Sequence, residues 1–246
     1  MSAAVQNSSP LLLVADAHVR PDTPAAKEFR EFLAWVATTG YDVAFLGDIL
    51  ELWIGLKRYE TALSAEFLAW CAHEKARRRV FFVEGNHEFF VARHHADCFT
   101  AAATRELSLD KVVLAHGDTI QPIQANRLFR KLFKSSLMHF YVRWFLLAPC
   151  VVRRLKRKFE QKAAVRVPHY PAEDVVRWSE ECFDKHPAAR RAILGHFHCH
   201  QEHFFPDGRQ TTVLPAWKDT HEVGLLNFNT FRLEIQTWRD LAHTGS

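Results

Sequence analysis

Five stretches of the chain are continuously apolar and then stop at Asp, Asn or His: LLLVAD (11–16), VAFLGD (43–48), VFFVEGN (80–86), VVLAHGD (112–118) and AILGHFH (192–198). Unbroken runs of Val, Leu, Ile and Phe, rather than alternating ones, mark strands buried on both faces. Helix-like segments separate the first three runs, roughly Pro24 to Ala37 and Tyr59 to Arg78. Another amphipathic helix is predicted over 171–186, with Pro171 and two acids in its first turn. The strand, helix, strand rhythm predicts a layered α/β fold. Beyond residue 200 the pattern changes to EHFF, TTVL, VGLLNFN and FRLEIQTW, with PDG (206–208) as a turn signal. This tail predicts antiparallel strands forming a second sheet against the first. Neither an internal repeat nor a low-complexity linker divides the chain.

At 246 residues and 48% hydrophobic, the chain can bury a large core, and a single domain spanning 1–246 with an insertion at 122–168 is expected. Its five cysteines, Cys71, Cys98, Cys150, Cys182 and Cys199, are scattered, odd in number and without C-x-x-C spacing. That supports neither a disulfide framework nor a cysteine zinc site and suits a reducing compartment. MSAAVQNSSP lacks Lys and Arg and leads into too short an apolar run for a secretory signal. The apolar run WFLLAPCVV (144–152) is far short of the ~20 residues that span a bilayer. A cytoplasmic location is expected. The net charge of +4 hides an asymmetry, because residues 122–167 alone contribute +11 and leave the rest at −7.

In open α/β sheets functional groups gather beyond the carboxyl ends of the strands. That edge would collect Asp16, His18, Asp48, Asn86, His116, His196 and His198, a set made of metal-ligating residue types. Alternate residues of extended DAH and HFH would converge, pairing Asp16 with His18 and His196 with His198. These are too many ligands for one small ion, and two ions sharing Asp48 would use them all. Carboxylate, amide and imidazole together suit Mn²⁺, with Fe²⁺ or Zn²⁺ as alternatives, and two such ions ~4 Å apart suit phosphate-ester hydrolysis. Any one of these short motifs is commonplace, a lone GD being a turn and a lone HGD nothing. All five following apolar strands in one chain is not.

The ordered set DAH, GD, GNHE, HGD and GHFH, from Asp16 to His198, resembles the calcineurin-like metallophosphoesterases. The resemblance implies a sandwich of two mixed β-sheets flanked by helices around a dinuclear centre. It implies one metal on Asp16, His18 and His198, the other on Asn86, His116 and His196, with Asp48 bridging. His87 would lie over the phosphate as leaving-group acid or charge stabiliser, and Asp48, Asn86 and His87 would carry the catalysis. Glu88 is expected to open the following helix.

GDILELWIG (47–55) is similar to a segment of the UDP-2,3-diacylglucosamine diphosphatases, a branch of that family which also carries a helical lid directly after HGD. The resemblance implies hydrolysis of the pyrophosphate of a nucleotide-linked lipid, giving UMP and an acylated sugar 1-phosphate for lipid A synthesis. Within the insert, Phe129, Phe133, Leu137, Phe140, Tyr141 and Trp144 recur near helical spacing, interleaved with Arg127, Arg130, Lys131, Lys134 and Arg143. Such a helix lies in a lipid interface or lines a groove for acyl chains. Arg127, Arg130, Lys131, Phe133, Lys134, Phe140, Tyr141 and Trp144 are therefore candidate substrate contacts, and the inner leaflet of the membrane is the expected surface partner. Bulky aliphatics would be wasted on nucleic acid.

Three segments depart from that branch. Its GNRD is GNHE here, the two aspartates after WIG are Leu56 and Lys57, and its GDW is PAW at 215–217. Two rival functions follow. One is a phosphodiesterase or phosphatase acting on another nucleotide or phospholipid, and the other is a non-enzymatic membrane or protein adaptor on the same fold.

Overall fold

The computed structural model describes residues 9–120 and 170–244. The insertion at 122–168, with all eight candidate contacts from Arg127 to Trp144, lies outside the described residues, as does Cys150.

All five apolar runs form strands. β1 (Leu11–Val14), β2 (Asp42–Phe45) and β4 (Val80–Val83) pair in parallel, with β6 (Ala101–Ala103) added at the edge. β8 (Val112–Ala115) and β9 (Arg191–Leu194) pair in parallel within a separate sheet. β7 (Glu106–Leu109) borders that sheet antiparallel to β8. The tail does not make a sheet of its own. β10 (Gln201–Phe204) and β11 (Gln210–Val213) extend the β9 edge, whereas β12 (Glu222–Leu226) and β13 (Leu233–Thr237) cross back to lie beside β1. The result is a six-stranded sheet, β13-β12-β1-β2-β4-β6, facing a five-stranded one, β10-β11-β9-β8-β7. A further two-stranded pair joins β3 (Trp53–Ile54) to β5 (Glu88–Phe89).

The period of two along the strands decides the layers. In β1, Leu11 and Leu13 meet Val112, Leu114 and Ile193 of the opposite sheet. Leu12 and Val14 instead face the helices, with Phe29, Phe32 and Phe67. Both faces being covered explains why the run is apolar throughout. The helices on that side are α1 (Pro24–Thr38), α2 (Ala62–Glu74) and, at the C-terminal end, α6 (Trp238–Thr244). α1 begins at Thr23, whose side chain accepts from the Ala26 N–H, with Pro24 in the first turn. α2 opens with a reciprocal Thr61–Ser64 capping box. Across the second sheet, α4 (Ala172–Lys185) buries Cys182 and Phe183 against Val113. Two shorter helices, α3 (Val91–His94) and α5 (Trp217–Thr220), sit at the sheet ends. The PDG turn behaves as expected, with Gly208 at φ +83° between β10 and β11.

Glu88 departs from the sequence expectation. It lies in β5, not at a helix start, because its carboxylate is taken by the backbone of neighbouring loops rather than by a helix end.

Candidate metal centre

The loops leaving β1, β2, β4, β8 and β9 meet at one end of the sandwich, and they bring all seven candidate ligands and His87 together. Convergence of Asp16 with His18 and of His196 with His198 was expected from extended alternation; the backbone does it differently. β1 ends at Val14 and β9 at Leu194, and Asp16, His18, Asp48, His196 and His198 all take left-handed conformations, with φ between 44° and 72°. Such residues cost of order 1 kcal/mol each and gather where a site over-determines them. Backbone hydrogen bonds hold the turns: Asp16 N–H donates to Gly47 O (3.1 Å) and His18 N–H to Asp48 O (2.8 Å).

Each buried aspartate has one oxygen fixed and one directed inward. Asp16 Oδ2 accepts from the His196 N–H at 2.7 Å, while Oδ1 accepts no hydrogen bond. Asp48 Oδ1 accepts from the His87 N–H at 2.8 Å, and Oδ2 faces three imidazole Nε2 atoms, those of His116 (3.4 Å), His18 (3.8 Å) and His87 (3.8 Å). The His18 and His198 Nε2 atoms stand 3.4 Å apart, and His198 Nε2 is 3.4 Å from Asp16 Oδ1. His116 donates Nδ1–H to Leu46 O (2.8 Å) and turns Nε2 to Asn86 Oδ1 (3.3 Å).

A buried carboxylate oxygen without a hydrogen bond, ringed by imidazole nitrogens, fits a cation. Among the described residues two such groups of donors lie at this centre, Asp16, His18 and His198 on one side and Asp48, His116 and His196 on the other, with Asn86 beside the second. A third, His18, Glu51 and His87, shares their edge.

The electrostatics agree. Burial pushes His18 down to about 3 and His196 to about 4, leaving neutral rings with a lone pair to give. Burial would raise Asp16 and Asp48, but the neighbouring histidines outweigh it and hold both carboxyls below their ordinary range. His116 goes the other way: burial disfavours its charge, yet Asp48 and Asp16 raise it to about 10. Burial, and next Asp48, pushes the Glu88 carboxyl up to about 8. Burial also raises Glu51, against the opposing pull of His87 and Arg20.

Glu88 organises this end of the fold. Its two oxygens accept from the backbone N–H groups of Asp48 (2.7 Å), Ile49 (2.8 Å) and Gly85 (2.8 Å). His87 is oriented from behind, its Nδ1 lying 2.5 Å from the Glu51 carbonyl. Beside the centre stand Glu51, a matched position of GDILELWIG not singled out as a site residue, and Asp219 on α5, which carries no sequence signal of its own and whose Oδ2 lies 3.8 Å from His198 Nδ1.

The sequence profile of the calcineurin-like phosphoesterases matches residues 9–200, a span holding all seven candidate ligands. The chain belongs to the calcineurin-like phosphoesterase family. It is accordingly a hydrolase of phosphoric esters or anhydrides, and divalent metal ions are implied by the family and fit the donors present. Among curated relatives, a UDP-2,3-diacylglucosamine hydrolase of Stutzerimonas stutzeri is 28% identical, over 76% of this chain and 81% of its own. A protein of the same name from Aeromonas salmonicida is 26% identical, over 96% of both. Solved structures that align include an archaeal phosphodiesterase (10% identity, TM-score 0.49, 92% of this chain and 98% of the other). A dimetal phosphatase from Danio rerio aligns at 16% identity and TM-score 0.44, over 90% of this chain and 94% of the other. Among the described residues no helix is long and apolar enough to cross a membrane.

Proposed function

We propose that this phosphoesterase cleaves the pyrophosphate of a nucleotide-linked lipid, UDP-2,3-diacylglucosamine or a close analogue, releasing UMP and the acylated sugar 1-phosphate of lipid A synthesis. The observation that carries the proposal is the shared name of the curated relatives, which match 58% to 96% of the chain. GDILELWIG and the basic, aromatic insert support it. So does the placement of the described residues on either side of it: Ile120 and Tyr170 pack in one cluster with Phe197, the residue between His196 and His198.

Asp16, His18 and His198 would hold one divalent cation and Asn86, His116 and His196 the other, with Asp48 between them; Mn²⁺ is the first choice and Fe²⁺ or Zn²⁺ the alternatives. When bound, the pair supplies positive charge that polarises the phosphoryl oxygens and acidifies the attacking water. The chain's own groups do the rest. Glu88 fixes the loops that carry Asp48 and Asn86. The Glu51 carbonyl, by accepting Nδ1–H, points His87 Nε2 at the centre. There the imidazolium form donates to the leaving oxygen or steadies its charge. Residues 122–168 would form a lid of the single domain. Arg127, Arg130, Lys131 and Lys134 would meet the diphosphate, and Phe133, Phe140, Tyr141 and Trp144 the acyl chains and the cytoplasmic face of the inner membrane.

A second reading, another nucleotide or phospholipid as substrate, is favoured by His87 where the diphosphatase branch carries Arg, and by Leu56, buried with Ile54, Phe89 and Phe90, where that branch carries Asp. A substrate panel with Mn²⁺ separates the two. The first reading expects UMP from the acylated UDP-sugar far faster than from UDP-sugar without acyl chains. Turnover of soluble diesters with no UMP release from the lipid would replace it by the second.

A further inference from the structure

His18 and His198 are arranged alike. Their Nε2 atoms approach Asp16 Oδ1, at 3.9 and 3.4 Å, and their Nδ1 atoms each face a carboxylate. Glu51 Oε2 lies 3.9 Å from His18 Nδ1 and Asp219 Oδ2 lies 3.8 Å from His198 Nδ1. A histidine that ligates through one ring nitrogen needs an acceptor for the N–H of the other, which fixes its tautomer and its orientation. His116 has such an acceptor in the Leu46 carbonyl. For His18 and His198 the groups opposite Nδ1 are these two side chains.

Both are placed for the task. Glu51 is 4% exposed, its Oε1 accepts no hydrogen bond, and Arg20 Nε lies 3.7 Å from its Oε2. Asp219 rides on α5, which is tied to the end of β1 by Trp217 N–H to Ala15 O (3.0 Å) and Lys218 N–H to Asp16 O (3.3 Å). The same turn that carries the metal-facing aspartate thus also anchors the helix carrying Asp219.

We propose that Glu51 and Asp219 are positioning residues for one of the two cation positions, each accepting the Nδ1–H of its histidine so that Nε2 is presented beside Asp16 Oδ1. The present separations exceed hydrogen-bond length and shorten when the histidines ligate. The proposal rests on the two-cation reading and adds a selective consequence. The Asn86, His116, His196 position has its own backbone acceptor and depends on neither carboxylate.

The test is Mn²⁺ titration of the metal-free full-length chain, with free Mn²⁺ read by electron paramagnetic resonance. The wild-type chain is expected to take up two ions. Asp219→Asn and Glu51→Gln should each weaken one of them about 10- to 100-fold, the usual range for losing such a partner, and leave the other unchanged. Asp219→Glu should restore the affinity. Asp219 is 54% exposed, so Asp219→Asn should keep the wild-type melting temperature without metal, and it decides the matter alone if Glu51→Gln fails to fold. Wild-type affinity at both positions in Asp219→Asn, or equal weakening at both, overturns the positioning role while two-ion uptake by the wild type upholds the metal reading. A wild-type chain that takes up no Mn²⁺ overturns both.

Discussion

Three backbone N–H groups, those of Asp48, Ile49 and Gly85, end on the Glu88 carboxylate, which is wholly buried. Glu88→Ala would leave three buried donors unpaired. At about 1–3 kcal/mol for each, denaturant unfolding should show a loss of at least about 3 kcal/mol, and Glu88→Gln a smaller one. On the proposed function His87 is the opposite case, a side chain placed for chemistry rather than for stability. His87→Ala should lower kcat about 10²- to 10⁴-fold, the range for a general acid, with metal content and melting temperature near those of the wild type. The seven candidate ligands were legible as a set because each lies at or just beyond the end of an apolar run that reads as a buried strand. What could not be read was the backbone. Nothing in DAH or HFH announces left-handed residues, and the role of Glu88 follows from three-dimensional neighbours at sequence distances of up to 40 residues. Asp219 was invisible for the same reason, since it meets His198 only because α5 docks on β1.

At the scale of elements, the two loops that carry Asp48 and Asn86 touch each other backbone to backbone. A Cβ at Gly85 would stand 2.1 Å from Asp48 Oδ1 and 2.7 Å from Asp48 N. Gly85→Ala should therefore displace Asp48 and abolish metal uptake, which calorimetric titration would register, even where the fold survives. In the strands, Leu13 is buried between the two sheets, and Leu13→Ala should cost about 2–5 kcal/mol in denaturant unfolding. The five core strands and three longer helices were legible from periodicity, with ends that differ by a few residues. The tail was not, because its alternation says that a strand has one covered face and not which sheet covers it. Only the pairings of β11 with β9 and of β12 with β1 divide the tail between the two sheets.

At the scale of the whole molecule, the charge of the chain divides it into an acidic body and an insert of +11. The two proposed cation positions belong to the body, so a deletion of residues 123–165 should leave action on a small chromogenic phosphodiester largely intact and remove action on the acylated substrate. Equal loss on both would make the segment structural. Stripping the metal with a chelator should silence both activities, and Mn²⁺ should return them. The most direct measurement follows UDP-2,3-diacylglucosamine by phosphorus NMR, with the metal-free chain before and after Mn²⁺ is added. The proposed function requires the diphosphate resonances to give way to UMP and a lipid-linked sugar 1-phosphate only once Mn²⁺ is present; an unchanged diphosphate in the presence of Mn²⁺, from protein that still cleaves a soluble phosphoester, would contradict it.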